Sequence, residues 1–337
     1  MNMIYFTLIL SLSIILLGAG IFTNSIEWLG KKLHLSEGTI GSILAAIGTA
    51  LPETMISLIA IIFGTSKESS QIGIGTILGA PLMLATLAMM LVGIAATFFK
   101  IKGQPRQYLF CNPNIIKKDL FFFLLVYSLA MCTAFFPSRP SKIIVAIFLV
   151  LLYLYYAYHT IKSGKSLAEI EILPLIFNRK NATPSLQIIL LQIIFSLGTI
   201  IGGAHLFIQA LTQISLALKV PAFILAIIIT PIATELPEKF NSIIWIKQGK
   251  DTLALGNITG AMVFQSSVIP ALGIFLTPWK LSFLALASGI LALLSASIIY
   301  YHLQFKNKLK PRTLIRVGYL YLAFFLLVIY TRATFPY

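Results

Sequence analysis

Acidic residues, cysteines and histidines are scarce in this sequence, and their scarcity excludes several classes of protein. Only 10 of 337 residues are Asp or Glu, and charged residues of both signs make up 10% of the chain. The two cysteines, Cys111 and Cys132, lack the spacing of a metal site and the number needed for a disulfide framework. The 4 histidines are dispersed and no HExxH-like motif occurs. We therefore predict neither an enzyme active site nor a bound cofactor.

A soluble, folded domain that could present the positive charge is also missing. The net charge is +15, but the basic residues are scattered through short connections between apolar runs. Scattered basic residues of this kind are typical of topology signals that face anionic lipid. We therefore expect a lipid bilayer, and not a nucleic acid, as the partner of these charges.

Long apolar runs make up most of the sequence. Hydrophobic residues account for 58% of it, and runs of about 20 residues, enough for a helix to cross a bilayer, recur from end to end. The first run has no basic residue before it and no small-residue cleavage site after it, which favours a first span over a removable signal peptide. The sequence predicts an all-α integral membrane protein with about ten spans, near 4–24, 39–64, 72–99, 119–136, 142–161, 186–210, 222–246, 253–276, 281–302 and 314–331.

The distribution of Lys and Arg predicts the orientation. Connections after odd-numbered spans carry eighteen Lys and Arg residues, the other side carries six, and Lys239 lies inside a span. Basic loops stay in the cytoplasm, so we predict a multi-pass protein of the cell membrane with both termini outside. The longest connection, residues 162–185, is then cytoplasmic and divides the chain into five spans and five.

An internal repeat relates these two halves at an offset of 185 residues. The segment "GTALPETMIS" (48–57) aligns with "ATELPEKFNS" (233–242). After four residues are removed from the first half, "GTILGA" (75–80) aligns with "GNITGA" (256–261). The aligned pairs include Gly18 with Gly203, Thr49 with Thr234, Pro52 with Pro237, and Glu53 with Glu238.

This repeat predicts inverted topology, because each half has an odd number of spans and the second copy must cross the membrane in the opposite direction. We assign residues 1–161 to the first repeat, 162–185 to the connecting loop and 186–337 to the second repeat. Proline removes a helical hydrogen bond, so each LPE segment predicts a break in its helix. Carbonyls freed there must be buried or line a polar cavity, where they can bind sodium or calcium.

Two glutamates occupy matching positions next to these prolines. A carboxylate at mid-membrane costs about 2.5–3.5 kcal/mol on insertion scales, so Glu53 and Glu238 need a reason to be there. A single buried Glu is explained almost as well by helix packing. Two at repeat-related positions favour a cation site.

The paired segments resemble the sodium/calcium exchangers of the calcium/cation antiporter group. That family has two inverted repeats, each with a G-T-S-L-P-E type segment followed by a G-N-x-x-G-S-N type segment. The resemblance extends over nearly the whole chain, including "GAGIFTNSIEWLGKKLHLS". It implies a secondary active antiporter whose cargo is inorganic cations, calcium and sodium. By the same resemblance the cation ligands are Glu53, Glu238, Thr49, Thr234 and Asn257, with Thr76 as a further candidate at the asparagine position of the first motif.

The sequence also departs from the family pattern. Ala50 and Glu235 stand where the family has serine, and Thr76 stands where it has the asparagine of the first motif. Several oxygens expected for sodium are therefore missing. Sodium/calcium exchange is the leading hypothesis, with a proton-coupled calcium/cation exchanger and a non-transporting degenerate relative as alternatives.

Two further ionisable residues have two interpretations. Glu235 precedes Lys239 by four residues, the favoured order for a helical ion pair. The same residues are also candidates for a direct role in transport or proton coupling. Gln265 is a candidate to line the pathway beside Asn257.

Overall fold

The computed structural model is helical throughout and describes residues 2–33, 45–99, 106–162, 173–179 and 183–334. Within those ranges no β-strand occurs. The long helices are α1 (Asn2–Lys32), α2 (Ala45–Ile62), α3 (Lys67–Phe98), α4 (Pro113–Cys132), α5 (Arg139–Lys162), α6 (Leu186–Leu218), α7 (Ala222–Lys247), α8 (Asp251–Leu276), α9 (Phe283–Lys306) and α10 (Pro311–Thr334).

Each predicted span overlaps one of these ten helices of the described chain. Seven of them, α1, α3, α5, α6, α8, α9 and α10, are long and apolar enough to cross a membrane. The apolar parts of α2 and α7 are shorter, Ala50–Ile62 and Ala222–Glu235. The chain is therefore a multi-pass membrane protein, and ten crossings stay a prediction.

Two helices continue well past their predicted ends. The spans near 4–24 and 186–210 correspond to α1, with 31 residues, and α6, with 33. Hydropathy identifies only the apolar part of a helix, whereas the helical hydrogen bonds of the backbone continue until a residue ends them. In α6 that residue is Lys219, which has φ of 51°, and Val220 N–H then donates to the Ser215 carbonyl at 3.1 Å.

Both predicted helix breaks are wrong. Helix α2 continues through Pro52 and α7 continues through Pro237. A proline deprives only the carbonyl four residues earlier of its helical donor, and the turns on either side keep their own hydrogen bonds. The irregular helix is α3, where a π-helical turn at Leu84–Ala88 follows Pro81.

The helices form two compact units, and each unit takes segments from both halves of the sequence. Unit 1 comprises Met1–Thr76 and Tyr155–Thr234, and unit 2 comprises Ile77–Leu154 and Glu235–Tyr337. The compact units are thus divided differently from the predicted repeats, 1–161 and 186–337, which stay a prediction.

Helices α1 and α6 of unit 1 meet through two reciprocal glycine contacts. A Cβ atom on Gly18 would lie 2.8 Å from Cγ1 of Ile200, and one on Gly203 would lie 2.8 Å from Cγ1 of Ile15. Each glycine therefore admits the other helix's isoleucine. Both the glycines and the isoleucines are related by the offset of 185 residues. Reciprocal contacts of this kind are those that a two-fold relation produces.

A polar network in unit 1 holds the end of the connecting loop. Gln192 donates to Asn24 Oδ1 at 3.1 Å and to Ser25 Oγ at 2.8 Å, and it accepts from Phe177 N–H at 2.8 Å. Trp28 Nε1 donates to the Leu173 carbonyl at 2.9 Å. The described part of this loop forms only a 3₁₀ turn at Ile176–Asn178.

In unit 2, the connection between α3 and α4 is held by a buried ion pair. Arg106 Nη1 lies 2.6 Å from Asp251 Oδ1, and both side chains are fully buried. The Asp251 carboxylate also accepts from Phe110 N–H at 2.8 Å. Burial, together with the charge of Asp251, raises the pKa of the Cys111 thiol to about 11, so this thiol is protonated at neutral pH.

Candidate cation site

The candidate site in unit 1 is built around Glu53, in the interior of α2. Its side chain is only 2% exposed. Thr234 Oγ1, on α7, donates a hydrogen bond to Glu53 Oε1 and lies 2.7 Å from the Thr230 carbonyl oxygen. Glu53 belongs to the first LPE motif and Thr234 to the second. The fold therefore brings together one ligand candidate from each half of the chain.

A second hydroxyl pair extends this polar cluster. Thr76 Oγ1, on α3, lies 3.4 Å from Thr230 Oγ1, and both side chains are fully buried. Thr230 thus connects Thr76 to Thr234 and Glu53. The cluster offers a carboxylate and three hydroxyls inside an apolar core, and these are the hard oxygen ligands that sodium and calcium prefer.

Unit 2 contains a polar cluster of its own. Lys239 Nζ lies 3.2 Å from Glu235 Oε2, and both side chains are 1% exposed. Gln265, on α8, donates from Nε2 to Glu235 Oε1. The buried Gln265 Oε1 has no hydrogen-bond partner within the described part of the chain.

The other predicted ligands are placed less fully. The side chains of Thr49 and Glu238 lie outside the described residues. Asn257, on α8, is half-buried, and its side chain has no hydrogen bond to another described residue. No group of three or more His, Cys, Asp and Glu side chains able to hold a metal ion gathers in the described ranges.

Two buried polar residues, Thr230 and Asp119, were not predicted from the sequence as site residues. Thr230 lies four residues before Thr234, and this helical spacing next to Pro231 was a usable signal. Asp119 sits near the end of a predicted span, yet it is only 5% exposed and accepts from Thr259 Oγ1 at 2.6 Å. Its burial depends on α8 packing against α4, which no local pattern indicates.

Comparison with known proteins supplies the family. The chain is 25% identical over 326 residues to the putative antiporter CaxA of Alkalimonas amylolytica, covering 94% of this chain and 97% of the relative. The H+/Ca2+ exchanger CAX has a similar fold, with a TM-score of 0.71, 16% identity and coverage of 99% of this chain and 82% of the other.

The sodium-calcium exchanger NCX_Mj also has a similar fold. Its TM-score is 0.59 and its identity 21%, over 96% of this chain and 97% of the other. The family model for sodium/calcium exchanger proteins, which are secondary transporters of cations and not enzymes, matches residues 3–162 and 188–334. Since this match covers nearly the whole sequence, the chain belongs to the sodium/calcium exchanger protein family.

Proposed function

We propose that this chain exchanges calcium for sodium by alternating access around a mid-membrane site that contains Glu53 and Glu238. The observation that carries the proposal is the contact between Glu53 and Thr234. A buried carboxylate from the first motif and a hydroxyl from the second meet in a cluster of oxygen atoms. The antiporter relative, which aligns over nearly its whole length, supports the same class of transport.

The chemistry of the ligands suits calcium. Calcium takes six to eight oxygen ligands, and two carboxylates supply up to four of them. The hydroxyl of Thr234 donates a hydrogen bond to Glu53. When a cation binds, the same hydroxyl can rotate and offer a lone pair to it. Thr76, Asn257 and water complete the shell in this proposal.

The reciprocal contacts of Gly18 and Gly203 support the alternating-access part of the proposal. Transporters built from inverted repeats open to either side by moving equivalent elements around a fixed site. A contact between α1 and α6 that is the same from both helices suits such a motion, because each helix presents the same surface to the other.

Calcium flux in proteoliposomes tests the proposal. We expect uptake of calcium when sodium is loaded inside, and loss of uptake when choline replaces sodium. The protein is purified and reconstituted once, and the sodium, potassium and proton gradients are then varied one at a time. Absence of flux under every gradient would favour the non-transporting relative.

Proton coupling is the rival mechanism, and the motif departures favour it. A sodium site would have to be made with Ala50, Thr76 and Glu235, where the family pattern offers Ser, Asn and Ser. Calcium uptake that follows an imposed pH gradient in sodium-free medium supports the rival. Uptake that requires sodium and ignores pH removes it.

The proposed orientation is tested by thiol labelling. After Cys111 and Cys132 are replaced, single cysteines near Lys102, Lys165 and Lys308 should react with impermeant thiol reagents only from the cytoplasmic side. The reason is the excess of Lys and Arg in these connections. Reaction of all three from outside would reverse the proposed topology.

A further inference from the structure

The Glu235 and Lys239 pair lies deep within its helix. Glu235 follows Ala222, the first residue of α7, by 13 positions, or about 20 Å at the rise of an α-helix. Lys239 precedes the last residue by 8 positions, or about 12 Å. Both side chains are 1% exposed. Charged groups at such positions in membrane helices are rare and mark functional pathways.

The contact between the two charges is local to one helix. Both charges belong to the same helix, so the ion pair itself connects α7 to no other element. A buried ion pair is often no more stabilising than two apolar side chains of similar volume. The hydrogen bond from Gln265 needs only an acceptor and does not require Lys239. The pairing with Glu235 alone therefore does not explain why an ammonium is buried here.

The oxygen atoms around Glu235 resemble the ligands of a cation site, and the cation they face is the ammonium of Lys239 in the same chain. The carboxylate provides two oxygens, and the buried Gln265 Oε1 has no hydrogen-bond partner in the ranges that the structure describes. Turning the amide of Gln265 would present this third oxygen to the same position. Lys239 Nζ, with one positive charge, lies 3.2 Å from Glu235 Oε2.

We propose that the Lys239 ammonium is a resident monovalent cation. It occupies the position where Glu235 and Gln265 would otherwise bind a sodium ion. A sodium ion leaves the protein in each cycle, whereas the ammonium is tethered and stays. Lys239 is then a specificity-determining residue that removes one monovalent ion from each exchange cycle. This consequence for stoichiometry rests on the proposed cation exchange, whereas the binding property does not.

Thermal unfolding of the purified protein tests the binding property. Lys239→Met keeps most of the apolar stem and removes the charge, leaving Glu235 and Gln265 open to a free cation. Its melting temperature is expected to rise with sodium by roughly 2 °C for each tenfold increase above the dissociation constant. Choline is the substituting ion, and calcium is kept saturating throughout.

Three proteins serve as controls for this measurement. The wild type gives the sodium response of all other sites. The double variant Glu235→Gln, Lys239→Met lacks both charges and should respond to sodium as the wild type does. Lys239→Arg, which keeps a cation at this position, should also show no additional response.

Comparing Lys239→Met with the double variant decides the proposal, and an additional sodium response that the two share overturns it. A sodium response in Lys239→Met that the double variant lacks supports it, and so does recovery of folded Lys239→Met only when sodium is present. An unchanged response in Lys239→Met overturns it. Failure of Lys239→Met to fold at any sodium concentration, while the double variant folds, also overturns it, because sodium should then replace the ammonium.

The transport consequence is measured separately. Reversal potentials in proteoliposomes should show one more monovalent ion per calcium in Lys239→Met than in the wild type. The thermal measurement requires no transport. If the wild type moves no calcium, the proposed function fails, and the sodium response still tests the resident cation.

Discussion

Replacing Glu53 by Gln is expected to abolish calcium exchange while the protein still inserts and folds. The amide keeps the shape of the side chain and can still accept from Thr234, but it removes a charge that a divalent cation needs. Losing one partner of a buried charge interaction costs about 2–5 kcal/mol, which corresponds to roughly a thirtyfold to several thousandfold loss. Initial rates of calcium uptake, normalised to the amount of reconstituted protein, measure the effect.

The matched control is Ser57→Ala, one turn away in the same helix. The Ser57 hydroxyl donates only to the backbone carbonyl of Glu53, at 2.7 Å, so its loss should leave exchange close to that of the wild type. Glu238→Gln should behave as Glu53→Gln does, because the two glutamates occupy equivalent positions in the predicted repeats. Full activity of either purified glutamine variant would remove that residue from the proposed site.

Breaking the Arg106 and Asp251 pair is expected to give the largest loss of stability. Removing one partner of a buried ion pair leaves an uncompensated charge and destabilises by about 3–5 kcal/mol. The loss should be this large because the Asp251 carboxylate also accepts from Phe110 N–H, and Arg106 Nε donates to the Phe99 carbonyl at 2.9 Å. Thermal unfolding of Asp251→Ala and Arg106→Ala in detergent measures it.

Two further variants sharpen this test. Arg106→Met combined with Asp251→Leu removes both charges and should recover much of the lost stability, since replacing a whole buried pair by apolar residues is often nearly neutral. Arg316→Ala removes an exposed arginine and should change the free energy of unfolding by less than about 0.5 kcal/mol. Equal losses in the single and double variants would show that packing, and not charge, holds this connection.

The helices of this protein were predictable because membrane spans are marked by local composition. Each apolar run of about 20 residues corresponds to a helix, and the errors lie at the ends, as in α6, which continues to Leu218. The breaks at Pro52 and Pro237 failed as predictions for a related reason. A proline acts on one carbonyl, whereas the persistence of a helix depends on its neighbours in the fold.

Only those residues of the candidate site that belong to the repeated motifs were predictable from the sequence. Glu53 and Thr234 were both selected from the motif, but nothing in the sequence indicated that they form a hydrogen bond with each other. Thr230, Asp119 and the buried pair of Arg106 with Asp251 depend on helices that are distant in sequence. Whether a polar residue near the end of a span is buried depends on such packing, which the amino-acid composition does not indicate.

The reciprocal glycine contacts between α1 and α6 have a consequence for the evolution of the two halves. In an ancestor half as long, paired with an inverted copy of itself, one glycine and one isoleucine would have made both contacts, and any mutation would have altered both at once. Fusion of two such copies would release this restriction. Gly18, Gly203 and their isoleucine partners are nevertheless still identical, whereas the equivalent positions Ala50 and Glu235 have diverged in charge. On the predicted repeat, the contact between α1 and α6 has stayed the same in both halves, whereas these motif positions have changed.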